Sequence, residues 1–548
     1  MEGFVPWPDE LAAQYRQRGL WEGLTIGEMV ERTARRLPDK VAVVLGDRRV
    51  RYAELVEASR RLAIGFVRAG VGRGDRVVMQ LPNTIDFVLT YLALNWIGAV
   101  PVMALRAHRH SEVRHFIGAS GAVAYVVPDV VGGFDFRAMA AQMRVEFPAL
   151  KMVAVSGEPG AGQVALDALA DRSTPLPEIE RALAGRRPEP GDVATMLLSG
   201  GTTSMSKLIP RTHDDYVLNA RACGRVAGLG EDTVFMAILP LGHNYNLASP
   251  GMLGTFYHGG TMVLTQGATP EEVFGLVERE RVTLIAAVVP LITAWLNSDV
   301  PAARDLSSLR VVQNGGARLA PELRRRLRER LRCTPQEVYG TAEGLINMTR
   351  LDDADEVLLE SSGAPVLDDD EIRVVDDDGR DVPDGEPGEL VTRGPYTIRG
   401  YFDAPQKNAE AFLPGGWYRM GDIVRKRGRI VYTEGRRKDM INRGGEKISC
   451  EEVENLMFAH PAVKAVALVA MPDPVFGEKA CAFVVPKDGQ ALDLAQMVAF
   501  LRQQHIASFK LPERLEIVDA LPTSPVGKIM KRELRERLVA KMAQEAGA

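Results

Sequence analysis

The sequence predicts an α/β protein: a large N-terminal domain of parallel-rich sheets with a β-rich subdomain, and a small α+β domain at the C-terminus. Three observations predict it. Short apolar runs alternate with amphipathic helical stretches along most of the chain, the pattern of parallel strands joined by crossover helices. From Asp368 the composition changes to short strands and acidic turns, DDDEIRVVDDDGRDVPDGEPGELV. The chain has 548 residues, 46% of them apolar and 25% charged, too long for one ordinary domain and rich enough for a large core.

The elements follow in order. Residues 1–19 mix Pro, Glu, Gln and Arg without an apolar core, so they do not read as a secretory signal. Strands are expected at 41–45, 76–80, 122–127, 152–155, 262–264 and 284–289, where apolar residues cluster. A helix at 321–332 places Leu323, Leu327 and Leu331 four residues apart, with arginines on the other faces. It reads either as a solvated helix over a core or as a docking face for an acidic protein. A last segment begins near Asp439, with strands at 465–471 and 481–486, a helix at 492–504 and a basic helical tail. Its length of about 110 residues is enough for an independent small domain. No internal repeat or low-complexity tract interrupts the chain.

Composition narrows the partners. Lys and Arg number 67 against 72 Asp and Glu, a net charge of -5, which gives no reason to expect nucleic acid or an anionic membrane. No apolar run is long enough to span a bilayer. Cys223, Cys333, Cys450 and Cys481 are scattered without CxxC spacing, so neither a zinc site nor a disulfide framework is expected. A cytoplasmic setting follows as the expectation.

The richest chemistry lies at LLSGGTTSMSKLIPRTH, residues 197–213. An apolar strand runs into Ser199, Gly200, Gly201, Thr202, Thr203 and Ser204, and Lys207 follows. Small residues let backbone N–H groups turn inward, hydroxyls add donors, and an ammonium supplies charge, as a phosphate cradle requires. The residue before Lys207 is not glycine, so the P-loop pattern is not met. Taken alone, the stretch is a Ser/Gly turn or a phosphate loop.

Its company includes Tyr339-Gly340-Thr341-Ala342-Glu343, Tyr418-Arg419-Met420-Gly421-Asp422 and Gly435-Arg436-Arg437-Lys438-Asp439. Asn442-Arg443-Gly444-Gly445-Glu446-Lys447-Ile448 and Pro525-Val526-Gly527-Lys528-Ile529 complete the set. In this order and spacing the set resembles the adenylate-forming superfamily of acyl-CoA synthetases, peptide-synthetase adenylation domains and luciferases, over nearly the whole chain. LSGGTTSMSKLIPRTHDDY, LPLGHNYNLASPG, AEGLINMTRLDD, TRGPYTIRGY, INRGGEKIS and the opening PWPDELAAQYRQRGLWEGLTI narrow it. They resemble stand-alone aryl-acid ligases of siderophore and nonribosomal peptide pathways, of the 2,3-dihydroxybenzoate or salicylate AMP ligase type.

The resemblance implies a fold, a reaction and site residues. An N-terminal domain at 1–437 would bind ATP and the aryl acid, and a mobile lid at 438–548 would close over it. A carboxylate would attack the α-phosphorus of ATP with pyrophosphate leaving, and the acyl group of the adenylate would pass to the phosphopantetheine thiol of an aryl carrier protein, releasing AMP. Lys528 would bridge the substrate carboxylate and the phosphate. Ser199, Gly200, Gly201, Thr202, Thr203 and Lys207 would cradle the phosphates. Glu343 would help hold Mg²⁺, a hard cation that neutralises phosphate charge. Tyr339, Gly340 and Thr341, with Gly315, Gly316 and Ala317, would surround the adenine; Asp422 would accept from the ribose hydroxyls, and Arg436 would assist at the ribose or phosphate. Lys438 would be the hinge, with Gly444 and Gly445 on the thiol path. His243 and Asn244 would meet the carboxylate and an ortho-hydroxyl, with Tyr245, Ser249, Asn314 and Ile346 completing the aryl pocket.

Four positions depart from the pattern. Asn246 replaces a proline, Asn314 an apolar residue, Ile346 a smaller valine and Ser204 a loop glycine. If both asparagines face inward, they suggest a substrate with an extra polar group or ring nitrogen, such as a hydroxypicolinate, a hydroxyquinaldate or an aminohydroxybenzoate. 2,3-Dihydroxybenzoate is a leading candidate, and Ser249 favours a second polar ring group over the cysteine of salicylate enzymes. Coenzyme A as acceptor, a non-catalytic binding protein of the same fold and a luciferase-type oxygenase are the alternatives.

Overall fold

In the computed structural model the described residues are 1–199, 206–436, 439–444, 446–504, 506–524 and 527–547. Two large sheets dominate. The first runs in the order Ala364–Pro365, Gly344–Met348, Thr334–Thr341, Val311–Gly315, Leu284–Ala287, Val234–Ala237, Thr261–Leu264, Val41–Leu45, Arg48–Arg51. Its strands from Thr334–Thr341 to Val41–Leu45 are parallel. The second runs Leu208–Thr212, Val193–Leu198, Val100–Met103, Arg76–Met79, Ala124–Pro128, Met152–Ser156, Val164–Ala165. It is parallel except where Leu208–Thr212 turns back on Val193–Leu198.

Helices Tyr52–Arg68, Ile85–Trp96 and His213–Val226 contribute to one core shared by both sheets. Each of these faces carries residues such as Tyr52, Leu55, Phe87, Tyr91, Tyr216 and Ala220 away from water, which is the dominant favourable term for such a layered fold. An antiparallel sheet follows, built on Glu371–Val375, Gly388–Arg393, Trp417–Arg427 and Ile430–Arg436. The last sheet pairs Ile441–Arg443, Glu446–Ile448, Val463–Asp473, Gly477–Pro486 and Arg514–Ile517. It has its own cores. Among the described residues no helix is long and apolar enough to cross a membrane.

Two local expectations change. The strand expected at 284–289 ends at Ala287, and the helix Val289–Leu296 starts at once. Pro290, in its first turn, suits a helix start and cannot donate to a sheet. In the helix Pro321–Leu331 the leucines are buried as expected, but Arg324 is buried with them and pairs with Glu337 at 3.0 Å. Of the arginines that reach solvent, Arg325, Arg328 and Arg330 pair with Glu360, Asp355 and Asp299, and half-buried Arg326 bonds the Leu296 carbonyl. The helix is a solvated, internally paired one. Arg332 ends it in a left-handed conformation.

The carboxyl ends of the parallel strands converge. Leu198, Ala237, Ala287, Gly315 and Thr341 all end strands on the same side of their sheets, where open α/β sheets bind ligands. The C-terminal segment touches the rest of the chain through a helix and a loop beside its sheet. Thr433 donates to Glu451 at 3.0 Å, Ser449 bonds the Glu434 carbonyl, and Gly527 packs on Val288, leaving no room for a Cβ.

Candidate active site

The base of the glycine- and serine-rich loop is closed by two bonds. The Ser199 N–H donates to the Lys207 carbonyl at 3.0 Å, and the Lys207 N–H donates to Ser199 Oγ at 2.9 Å. Gly200, Gly201, Thr202, Thr203 and Ser204 lie outside the described residues, as do Lys438 and Gly445. The Lys207 ammonium donates to Tyr401 Oη at 2.9 Å and sits 4.1 Å from that ring's centre. Tyr401 in turn donates to Glu343 Oε1 at 2.9 Å. Burial holds Lys207 below the ordinary lysine value, and Glu343 opposes that shift. One tyrosine therefore sets an ammonium beside a carboxylate at the mouth of the loop.

A second cluster gathers beside it. Asp422 accepts from Arg436 at 2.7 Å and from Tyr339 Oη at 2.7 Å. It sits on the strand Trp417–Arg427, directly opposite Arg436 on Ile430–Arg436. The Asp422 charge raises the Arg436 pKa, and a carboxylate with four acceptor sites retains capacity beyond these two donors. Tyr339 and Thr341 share one strand with Gly340, which Ile346 Cδ1 and the Leu345 carbonyl cover too closely for any side chain. Thr341 donates to the Gly344 carbonyl at 2.9 Å, fixing the turn that carries Glu343.

Gly315 lacks a side chain for the same kind of reason: a Cβ would lie 2.7 Å from the Tyr245 ring. Gly316 adopts φ +82°, which favours glycine. Lys528 lies over it, with Cε 3.6 Å from where a Gly316 Cβ would be. The Lys528 backbone is held by Ser524, which accepts from its N–H at 3.2 Å and donates its own N–H to the Lys528 carbonyl at 2.7 Å. The C-terminal segment thus places its lysine against the turn Gly315-Gly316-Ala317. Gly444, with φ +60°, donates to the Phe476 carbonyl at 2.8 Å.

The apolar side of this turn opens on a small polar nest. His243 caps the short helix Asn244–Ala248, its Nδ1 accepting from the Tyr245 N–H at 3.3 Å. Burial, then the Lys528 charge, holds the imidazole down at about 4. It is neutral with the proton on Nε2. Asn244 Oδ1 accepts from Tyr216 Oη at 2.8 Å, and its Nδ2 donates to Ser249 Oγ at 3.3 Å. Asn219 donates to the Ala248 carbonyl at 2.7 Å and to Ser249 Oγ at 3.5 Å. The Ile346 N–H donates to Tyr396 Oη at 3.1 Å, and Tyr396 donates to buried Asp370 at 2.6 Å.

Two asparagines do not face this nest. Asn314 donates to the Ala317 carbonyl at 2.7 Å and to Glu337 at 3.0 and 3.1 Å. Alternation along the strand puts Gly315 on the pocket face and Asn314 on the other, beside the Arg324–Glu337 pair. The expectation of Asn314 as a pocket residue is corrected accordingly: its amide completes a buried ion pair that no apolar side chain could serve. Asn246, also buried, donates to the Leu239 carbonyl at 2.6 Å.

Sequence reasoning missed Tyr401, Tyr216, Arg211 and Tyr396. Tyr396 and Tyr401 stand in TRGPYTIRGY and Arg211 and Tyr216 in KLIPRTHDDY, segments that carry the family resemblance. Arg211 is fully buried, pairs with Asp215 at 2.7 Å, and donates to the carbonyls of Ala342 at 2.9 Å and Tyr396 at 3.2 Å. Among the described residues no three His, Cys, Asp or Glu side chains gather as a metal cluster.

Comparisons with known proteins agree with this geometry. The family model of AMP-binding enzymes matches residues 30–402, and that of the AMP-binding enzyme C-terminal domain matches 452–528. The chain is 46% identical to the 2,3-dihydroxybenzoate-AMP ligase of Bacillus subtilis, covering 99% of each. It is 43% identical to the salicyl-AMP ligase / salicyl-S-ArCP synthetase of Mycobacterium tuberculosis, over 98% of this chain and 94% of that one. The apo structure of Mycobacterium smegmatis MbtA superimposes with a TM-score of 0.74 at 41% identity, over 98% of this chain and 99% of that one.

Proposed function

The chain belongs to the AMP-binding enzyme family, and from that premise we propose that it activates an ortho-hydroxy aromatic carboxylic acid with ATP. A carboxylate oxygen attacks the α-phosphorus, the bond to the β-phosphate bridging oxygen breaks, and pyrophosphate leaves with its charge. The thiol sulfur of the phosphopantetheine arm of a separate aryl carrier protein then attacks the acyl carbon, the bond to the phosphate oxygen breaks, AMP leaves and the thiol proton passes to solvent. The observation that carries this reading is the nest of buried Asn244 and Ser249 with half-buried, neutral His243, beside Tyr245 and within the field of Lys528. An aromatic ring fits the apolar wall of Tyr245 and Ile346, and an ortho-hydroxyl meets an amide it would otherwise lack.

Two anions must meet, so catalysis rests on position and on neutralised charge. Lys528, resting on Gly316, supplies a cation between the carboxylate and the α-phosphate. Lys207 supplies one for the leaving pyrophosphate, and Ser199 with residues 200–203 gives the loop its donors. Asp422 accepts from the ribose hydroxyls while Arg436 and Tyr339 fix its carboxylate, and Tyr339, Gly340, Thr341 and Ala317 border the adenine. Glu343 would hold Mg²⁺ together with phosphate oxygens, a donor set that suits an ion that keeps several waters, and the ion would neutralise phosphate charge.

The chain divides at 437/438, and residues 438–548 act as a lid that pivots at Lys438 and opens a thiol path along Gly444 and Gly445. Four unpaired, buried cysteines support a cytoplasmic setting. Coenzyme A as acceptor is the second reading. Incubating the protein with ATP, Mg²⁺ and 2-hydroxybenzoate, then with either a holo aryl carrier protein or coenzyme A, tests both by mass. An acyl mass on the carrier with little acyl-coenzyme A supports the first reading; the reverse supports the second; adenylate without either thioester overturns the transfer step.

A further inference from the structure

Helix His213–Val226 presents two polar residues to the ring-binding nest from behind. Tyr216 and Asn219 are three residues apart, so they share one helix face. Tyr216 bonds Asn244, and Asn219 bonds the backbone and hydroxyl at Ala248 and Ser249. Both are fully buried. Neither Tyr216 nor Asn219 stands in any motif assigned to ATP.

The Tyr216 ring is itself fixed. Arg211 lies 4.7 Å from its centre, and Arg211 is tied to Asp215, Ala342 and Tyr396. The hydroxyl proton needs an acceptor, because a buried donor left unpaired costs free energy. Asn244 Oδ1, 2.8 Å away, is the acceptor it has among the described residues. With Oδ1 committed to Tyr216, the amide must turn Nδ2 toward Ser249. If the amide were reversed, Nδ2 would meet the hydroxyl and the Tyr216 proton would be stranded.

We propose that Tyr216 is a positioning residue that sets the amide of Asn244, so that the pocket offers the substrate ring an N–H donor. The inference rests on the functional reading above, in which Asn244 faces the ring. Its consequence is a preference among ortho substituents. A phenolic oxygen accepts from Nδ2, whereas the conjugated nitrogen of an aromatic amine is a poor acceptor. The protein therefore selects 2-hydroxybenzoate over 2-aminobenzoate, two acids of similar shape.

The test is steady-state ATP–pyrophosphate exchange with 2-hydroxybenzoate, 2-aminobenzoate and benzoate on the unaltered protein, Tyr216→Phe, Asn244→Ala and the double variant. The unaltered protein should prefer 2-hydroxybenzoate to 2-aminobenzoate by about tenfold or more in kcat/KM. Tyr216→Phe should lower the 2-hydroxybenzoate to benzoate ratio about tenfold, chiefly through the acid KM, with the KM for ATP nearly constant. In the Asn244→Ala background the same change should leave that ratio where it is, because the amide it orients is gone. Equal losses on 2-hydroxybenzoate and benzoate, or additive losses in the double variant, would reduce Tyr216 to a packing residue. The comparison on the unaltered protein needs no variant to fold, and a preference for 2-aminobenzoate there overturns the donor orientation. No exchange with any of the three acids removes the functional reading and this inference with it.

Discussion

Replacing Lys528 by alanine should separate the two half-reactions. The lysine reaches the site from the C-terminal segment, rests on Gly316 and is close enough to His243 to depress its imidazole. One unit charge about 4 Å from the reacting oxygens, at an effective dielectric constant of about 20, is worth about 4 kcal/mol. If that attraction acts mainly in the transition state, its loss slows adenylation roughly a thousandfold. Thioester formation starts from an adenylate whose phosphate charge is already shared, and under the proposed function the lid pivots away for that step, so it should change by less than about threefold. ATP–pyrophosphate exchange measures the first step, and single-turnover transfer from presynthesised acyl-adenylate to a holo carrier protein measures the second. A comparable fall in both would refute the assigned role and make Lys528 a general support of the lid.

Three further outcomes follow from other parts of the site. Tyr401→Phe removes the hydroxyl shared by Lys207 and Glu343. Bonds to charged groups are worth about 1.5–3 kcal/mol each, part of which Lys207 and Glu343 recover by pairing directly, so kcat/KM for ATP should fall about 10- to 30-fold with the acid KM little changed. Asn314→Val removes a donor from Glu337 and from the Ala317 carbonyl, which should cost about 1–3 kcal/mol and lower the Tm by a few degrees. The order of preferred acids should stay the same, and a reordered panel would return Asn314 to the pocket. His213 is fully buried, its Nδ1 accepts from the Ile26 N–H at 3.1 Å, and burial holds its pKa down at about 3. Its unfolded value is about 6.5, so the unfolded state takes up the proton first and stability is lost as pH falls from about 6.5 toward 3. Urea midpoints across that window should fall less steeply for His213→Gln, provided the variant folds at pH 7.5; parallel slopes would deny the contribution.

Much of the site was legible because its chemistry is local in sequence. Strand ends followed by Gly, Ser or Thr mark where backbone groups come free, whereas Lys207, Glu343, Asp422 and Lys528 are singled out by the resemblance of the short motifs in which they stand. What sequence did not reveal is contact over long separations. Tyr401 joins Lys207 to Glu343, and nothing in the spacing of these three residues encodes it. Arg324 looked like one of several solvated arginines, yet its helix position faces Glu337, and a partner in another element decides that. Asn314 was ambiguous for the same reason: a polar residue on a buried strand can serve the ligand or a charge behind it, and only the face it occupies tells which. Pro290 shows the reverse case, where a local signal for a helix start was present and the apolar run beside it was given more weight.

ATP–pyrophosphate exchange across a panel of acids tests the central claim most directly. The panel would hold benzoate, 2-hydroxybenzoate, 2,3-dihydroxybenzoate, 3-hydroxypicolinate, 3-hydroxyanthranilate and a hydroxyquinaldate, with a fatty acid and an amino acid as controls. Exchange that depends strongly on one ortho-hydroxy aryl acid, with the controls near background, is the predicted result. Because the amide nitrogens of Asn246 and Asn314 are committed elsewhere, neither offers a donor to a ring nitrogen, and a benzoate without one should lead the panel. Exchange confined to the controls, or none with any acid, would contradict the account.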